Sequence, residues 1–550
     1  MRGDRRAVTV SVTAWVVLSA AAARAAAPVV EYLFPAGGRQ GATVEVTAGG
    51  KFERWPVQFW ADHPDLKAEA SAEKGKLSVQ IGKSVPSGPH LVRLYDAQGP
   101  STPRVFVVGE RAESNEAEPN DEVATAQAVD ALPVTINGRL EKSGDVDSYA
   151  VRLDAGQCLW AAVQGRRIGS PMDPMLHLCD GAGNALAFVH DGLGLDPLLV
   201  HRAEQAGTFV VRVSGFKFPP AADVKLAGEA GDVYRLTVGT GPVVRYAMPA
   251  GMRRGAKGQL RLFDWFGGEC GMWEMDASGA PLLDDFVRVP AEGGDGTLNV
   301  ALGDGPEVTE ADVHAASQAA APLTTPVAVT GRIERPGEED AFRFAAKKGE
   351  RLAVALRSTA IASPMDLVLR LEDEAGKQLA SNDDERGAAG DARLDWTAPA
   401  DGVYRAVVGD LFGKAGHEYV YRLSICTPAP GVVATVDADE YRVVAGKSAP
   451  VKLTVSRTGA YAAPLVAVAT GLPPGISAAA VEVPLKGGEV ALTLTAASDA
   501  KPAAGVIRVM VLGTDPSQPA AWAARCSLRK EAGQELIAAT DALWLTVTPP

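Results

Sequence analysis

Cysteine is scarce in this chain. There are five in 550 residues, and the odd number leaves at least one without an internal partner. Charge is also modest, at 22% against 47% hydrophobic residues, which excludes a disordered chain. Basic residues are outnumbered, 54 to 67, for a net charge of -13, and no basic stripe offsets this. A nucleic-acid partner is therefore excluded, because its phosphates would be repelled. Helical periodicity is nearly missing; its best stretch is EPNDEVATAQAV (118–129), where Asn120 or Asp121 is placed to cap a turn or two. Catalytic signatures are missing too. No H-E-x-x-H, G-x-S-x-G, P-loop or dinucleotide fingerprint occurs, and the seven histidines show no metal-ligand spacing.

What the chain has is repetition. SPMD begins at Ser170 and again at Ser363, 193 residues later, each time followed by a leucine alternation. At that spacing VTINGRLEKSGDVDSYAVRLDAGQCLWAAV (134–163) lies over VAVTGRIERPGEEDAFRFAAKKGERLAVAL (327–356) without a gap. The match closes with VYRLTV (233–238) over VYRLSI (420–425). A repeat of roughly 110 residues suits a duplicated domain rather than a solenoid unit. A shorter match, FPAGGRQGATVEV (34–46) with MPAGMRRGAKGQL (248–260), precedes each long copy, so the order is short, long, short, long. From Gly431 onward strict alternations such as Val451-Leu453-Val455 are separated by Gly and Pro turns, including Leu472-Pro473-Pro474-Gly475. With 58 glycines and 37 prolines spread along the chain, the pattern predicts an all-β protein, a string of β-sandwich domains.

The N-terminus reads as an export signal, with a basic start (MRGDRR), an apolar stretch and an Ala23-Arg24-Ala25 cleavage site. The expected organisation is a signal peptide (1–25), a short immunoglobulin-like domain (26–109), the first long copy (110–241), a small immunoglobulin-like domain (242–306), the second long copy (307–430) and a C-terminal sandwich (431–550). After cleavage no segment is apolar enough to span a bilayer, so the protein is expected to be secreted, periplasmic or on the cell surface.

The long copies resemble the bacterial pre-peptidase C-terminal (PPC) domain, a jelly-roll-like β-sandwich of secreted proteins. The residues that carry this are EAEPNDEVATAQAV, GDVDSYAVRLDAGQ, GSPMDPMLHLCDGAGNAL and GTFVVRVSG in the first copy, with GEEDAFRFAAKKGE, SPMDLVLRLEDEAGKQLASNDD and DGVYRAVVGD in the second. Together they cover somewhat under half the chain. The short units are similar to IPT/TIG-type domains, and the C-terminal stretch to bacterial immunoglobulin-like modules.

The polar cluster Glu116, Glu118, Asn120 and Asp121, followed by Asp145 and Asp147, offers the hard oxygens that calcium takes. In calcium-binding relatives of this fold an E-x-E-x-N-D linker wraps the ion with aspartates of the next strand, which implies a structural Ca2+ here; the plain reading is a solvated acidic linker. The second copy reads EVTEADVHAASQA at the linker, so its site is expected to be lost or weak although Glu338 and Asp340 remain.

Cys158 lies over Arg351 and Cys179 over Glu372. Both pairs make sense across adjacent strands, as a disulfide in one copy and an ion pair in the other; two free thiols is the equal alternative. In SPMD, Asp173 and Asp366 are expected to bond local backbone N–H groups and set the register of the following strand. Trp265 and Phe266, beside a Gly-Gly turn, are candidates for exposure. Altogether the chain reads as an exported, non-catalytic multi-domain protein that binds an extracellular protein or polysaccharide. The alternative is an accessory chain of a secreted peptidase or a divergent hydrolase, by family association alone.

Overall fold

The structure is a computed structural model that describes residues 26–219, 225–279, 286–290, 297–316, 321–384, 391–428, 430–459, 461–515, 520–528 and 536–550. The expected export signal, at 1–25, lies outside the described residues. The protein is nearly all β, and among the described residues the one α-helix is the seven-residue Glu310–Ala316. No helix of the described residues is long and apolar enough to cross a membrane.

The strands pair into five successive two-sheet sandwiches, each closed over its own hydrophobic core. The alternation explains the fold directly. In Asp147–Leu153, Tyr149, Val151 and Leu153 face inward and are buried, and in Met172–Asp180, Leu176 and Leu178 join them.

The two long copies share one topology. In the first, Val134–Arg139, Val233–Thr240, Cys158–Gln164 and Asp196–Arg202 run side by side in one sheet. In the second, Val327–Arg332, Val420–Cys426, Arg351–Arg357 and Ala392–Thr397 take the same order. The opposing sheets repeat as well: Asp147–Leu153, Gly207–Lys217, Met172–Asp180 and Ala185–Val189 correspond to Glu339–Ala346, Gly402–Asp410, Leu367–Asp373 and Gln378–Asn382.

The joint between each short sandwich and the long one after it is duplicated too. Ala36 and Val107 meet Ile168 and Val233 at the first; Ala250 and Ala301 meet Ile361 and Val420 at the second. Behind each cluster a buried arginine of the long copy, Arg235 or Arg422, is held by Glu113 or Glu307. Those guanidinium groups lie against Gly37 and Gly251, where a Cβ would run into them.

The five sandwiches do not form an extended rod. The C-terminal sandwich returns to the first: Arg93 pairs with Asp439 at 2.6 Å, and Trp544 lies against Tyr95 and Trp60, with ring centroids 4.8 and 6.1 Å away.

One open choice is decided, for the free thiols, and one expectation is corrected. Cys158 and Cys179 are free thiols on strands of opposite sheets, Cys158 opposite Arg202 and Cys179 opposite Ala185 and Val210, so they do not face each other across a ladder. Their counterparts behave alike, since Glu372 pairs with Arg370 and Arg405 rather than Arg351. In SPMD the serine, not the aspartate, makes the local bonds. The N–H of Met172 donates to Ser170 Oγ and that of Met365 to Ser363 Oγ, both at 3.4 Å. The two hydroxyls in turn donate across to Gly231 O and Glu418 O.

Candidate metal centre

The acidic linker follows Ala112–Asn115, an edge strand of one sheet of the first long sandwich, and is pinned along the edge of Asp147–Leu153 in the other sheet. The Ser148 N–H donates to Asn120 O at 3.0 Å, and Arg212 Nη2 donates to Asp121 O at 3.0 Å. The expected helix shrinks to a single 3-10 turn, Val123–Thr125, with Glu122 rather than Asn120 or Asp121 at its N-cap. The side chains of Asn120 and Asp121 are thereby left for another use.

Of the six residues proposed from sequence, the structure gathers Glu118, Asp121 and Asp145. One carboxylate oxygen of each lies within 4.8 Å of the other two. Ligand atoms held about 2.3–2.6 Å from a common calcium ion can be at most about 5 Å apart, so the spacing fits. Asp145 is buried, Asp121 half-buried and Glu118 exposed, which gives a site open on one side.

Asn120 lies between Glu118 and Asp121 in the chain and is fully buried, yet neither its amide oxygen nor its amide nitrogen has a hydrogen-bond partner. The inner oxygens of Asp121, Asp145 and Asp147 likewise accept no hydrogen bond. Buried polar atoms almost always find partners, so unbonded oxygens on Asn120, Asp121 and Asp145, two of them in the gathered carboxylate cluster, mark this as a candidate cation site.

Glu116 and Asp147 form a tier behind that shell. The Arg139 N–H donates to both Glu116 oxygens at 2.9 Å. Tyr234 donates a short hydrogen bond to Asp147 Oδ2, and its hydroxyl also meets that of Tyr149 at 2.6 Å. Burial pushes the Asp147 carboxyl up to about 9, with the neighbouring Glu116 charge adding to the rise. Burial likewise raises Glu116 to about 7. Asp121 moves the other way, held below its ordinary range by the Lys142 ammonium at 2.7 Å.

The second copy keeps the tier, and among its described residues no matching cluster of carboxylates gathers. Tyr421 donates to Asp340 Oδ2 at 2.7 Å, and the Arg332 N–H donates to Glu310 Oε2 at 3.1 Å. Glu310 thus stands where Glu116 does, and burial raises it too to about 7. In place of the acidic linker runs the helix Glu310–Ala316, whose Asp312 accepts from the N–H and hydroxyl of Thr309.

Sequence reasoning missed Tyr234, Tyr149, Lys142 and Glu310. The VYRL match flagged Tyr234 and Tyr421 as repeated, but nothing in it told a core tyrosine from one facing a carboxylate. Glu310 escaped because the second linker is displaced by one residue relative to the 193-residue spacing.

No protein-family model matches the chain, and no curated protein matches it.

Proposed function

We propose that the chain is an exported, non-catalytic binding or structural protein of the cell envelope or extracellular matrix, in which one Ca2+ fastens the linker to the first PPC-like sandwich. The observation that carries the cation is the fully buried Asn120 amide with no partner, set beside the Glu118, Asp121 and Asp145 carboxylates. The donor set is all oxygen, which selects a hard cation of the calcium type. Such an ion would tie the linker (Glu118, Asn120, Asp121) to the loop before the next strand (Asp145), and so fix the first long sandwich against its own entry segment.

Other strongly buried acids support a framework role. Asp196 accepts from three backbone N–H groups and Arg167, Asp232 from two and Lys217, and Asp391 from Ser358 N with Arg357 alongside. For an extracellular protein or polysaccharide partner, Phe188 and Phe412 offer aromatic contact points, at 56% and 68% exposure.

The test is thermal melting of the full chain in calcium and in chelator, with Asp121→Ala alongside. Calcium is expected to raise the melting temperature of the natural protein and leave the variant unmoved. Identical curves for the natural protein in both buffers overturn the cation. Hydrolysis of casein by the purified chain, with labelling by an active-site serine probe, overturns the non-catalytic reading.

A further inference from the structure

Lys142 belongs to the site without being a ligand. Its ammonium lies 2.7 Å from Asp121 Oδ2 and 3.4 Å from Asp145 Oδ1, bridging two of the three gathered carboxylates. Its side chain is 64% exposed, while the loop beneath it is fixed by the Glu141 N–H, which donates to Asp145 Oδ2 at 2.6 Å. The anchor is held by a backbone hydrogen bond, and the side chain that carries the charge is open to water. We infer that Lys142 is the resident counter-ion of this centre: it holds Asp121 and Asp145 together in the cation-free protein and is displaced when a divalent ion enters, so that it sets the affinity for that ion.

The second copy supplies an internal comparison. Arg335 occupies the position of Lys142 and pairs with Glu338, the counterpart of Asp145, at 3.2 Å. Glu338 is further bound by the N–H groups of Glu334 and Arg335. There the basic residue faces one acid that the backbone already satisfies. In the first copy Lys142 faces two acids, one of which, Asp145, retains an oxygen that accepts no hydrogen bond. A basic residue at this place is thus common to both copies, and among the described residues it is the first copy that gathers carboxylates with unbonded oxygens for a divalent ion to compete for. Lys142 also has a chemistry suited to displacement, since a flexible ammonium binds as a point charge whereas a guanidinium locks in place.

This inference rests on the calcium reading above, and the experiment separates the two. Calcium is titrated calorimetrically into the chelator-stripped full chain, as the natural protein, Lys142→Gln and Lys142→Arg. Removing the ammonium with which the ion must compete for Asp121 and Asp145 is expected to tighten binding about tenfold in Lys142→Gln. Lys142→Arg, which keeps the charge, is expected to bind no more tightly than the natural protein. In chelator Lys142→Gln is expected to melt below the natural protein, and saturating calcium to close that gap. Equal or weaker binding by Lys142→Gln overturns the counter-ion role while leaving the cation in place. If the natural protein gives no heat and melts alike in calcium and chelator, the cation reading fails and this inference falls with it.

Discussion

Tyr234 donates its phenolic proton to Asp147 deep inside the first long sandwich, and Tyr421 does the same for Asp340 in the second. Both tyrosines are almost wholly buried, and the tyrosine–aspartate pair recurs in both long copies. Removing the donor leaves a carboxyl group buried without it, which costs about 1–3 kcal/mol. Tyr234→Phe and Tyr421→Phe are both expected to lower the calorimetric melting temperature of the sandwich that carries them. The larger drop is expected for Tyr234→Phe, because Tyr149 loses its hydroxyl partner as well.

The raised carboxyls make the cation-free protein sensitive to alkali. Asp147 rises from 3.8 to about 9 and Glu116 from 4.5 to about 7, both chiefly through burial. The folded state therefore holds protons that the unfolded chain has already released, and stability falls as pH rises. Their contribution is complete below the unfolded values and is lost as pH climbs to about 9. In chelator, stability by calorimetry is expected to decline between pH 5 and 9. Asp147→Asn is expected to remove most of the decline above pH 7, leaving the part that Glu310, at about 7, contributes from the second copy. A flat profile in the natural protein counts against this account.

Much of this is legible in the sequence alone. Alternation and the SPMD repeat gave the all-β class and the duplicated unit, because a two-residue period with buried leucines has one solution. Glu118, Asn120, Asp121 and Asp145 were legible as oxygen donors from residue type and nearness along the chain. What could not be read was which carboxylates face one another. Separating Asp145 from Asp147 depends on Tyr234, almost ninety residues away, and on the Arg139 N–H that takes Glu116 out of the open shell. The cysteine pairing failed for a related reason. Cys158 and Cys179 sit on the consecutive strands Cys158–Gln164 and Met172–Asp180, and between these two the chain crosses to the opposite sheet instead of forming a hairpin.

The return of the C-terminal sandwich onto the first was equally beyond local pattern, and Arg93 stands at its centre. Arg93 is almost fully buried, bonds Ser101 O and Asp439, and has its guanidinium carbon 6.0 Å from the centre of the Trp544 ring. Arg93→Ala removes the charge pair and the ring contact together. Because Asp439 is 30% exposed, water takes over its carboxylate, and the loss is expected at about 1–3 kcal/mol rather than the larger cost of stranding a fully buried charge. The measurement is small-angle scattering, in which the variant is expected to show a larger radius of gyration as the last sandwich is released. An unchanged radius means that the remaining contacts hold the return by themselves.

Asn120 gives a test whose sign depends on the cation. In the cation-free protein its buried amide has no partner for either polar atom, so the side chain is an uncompensated desolvation cost. Replacing it with alanine removes that cost but leaves a small cavity, and the two effects oppose each other. In chelator Asn120→Ala is therefore expected to melt at or slightly above the natural protein. In calcium the same substitution deletes an oxygen ligand and is expected to bring the melting temperature below the natural protein's. A residue that only packs would destabilise in both buffers by the same amount. The difference between the two shifts, rather than either alone, separates a ligand from a structural asparagine, and equal destabilisation in the two buffers would remove Asn120 from the shell.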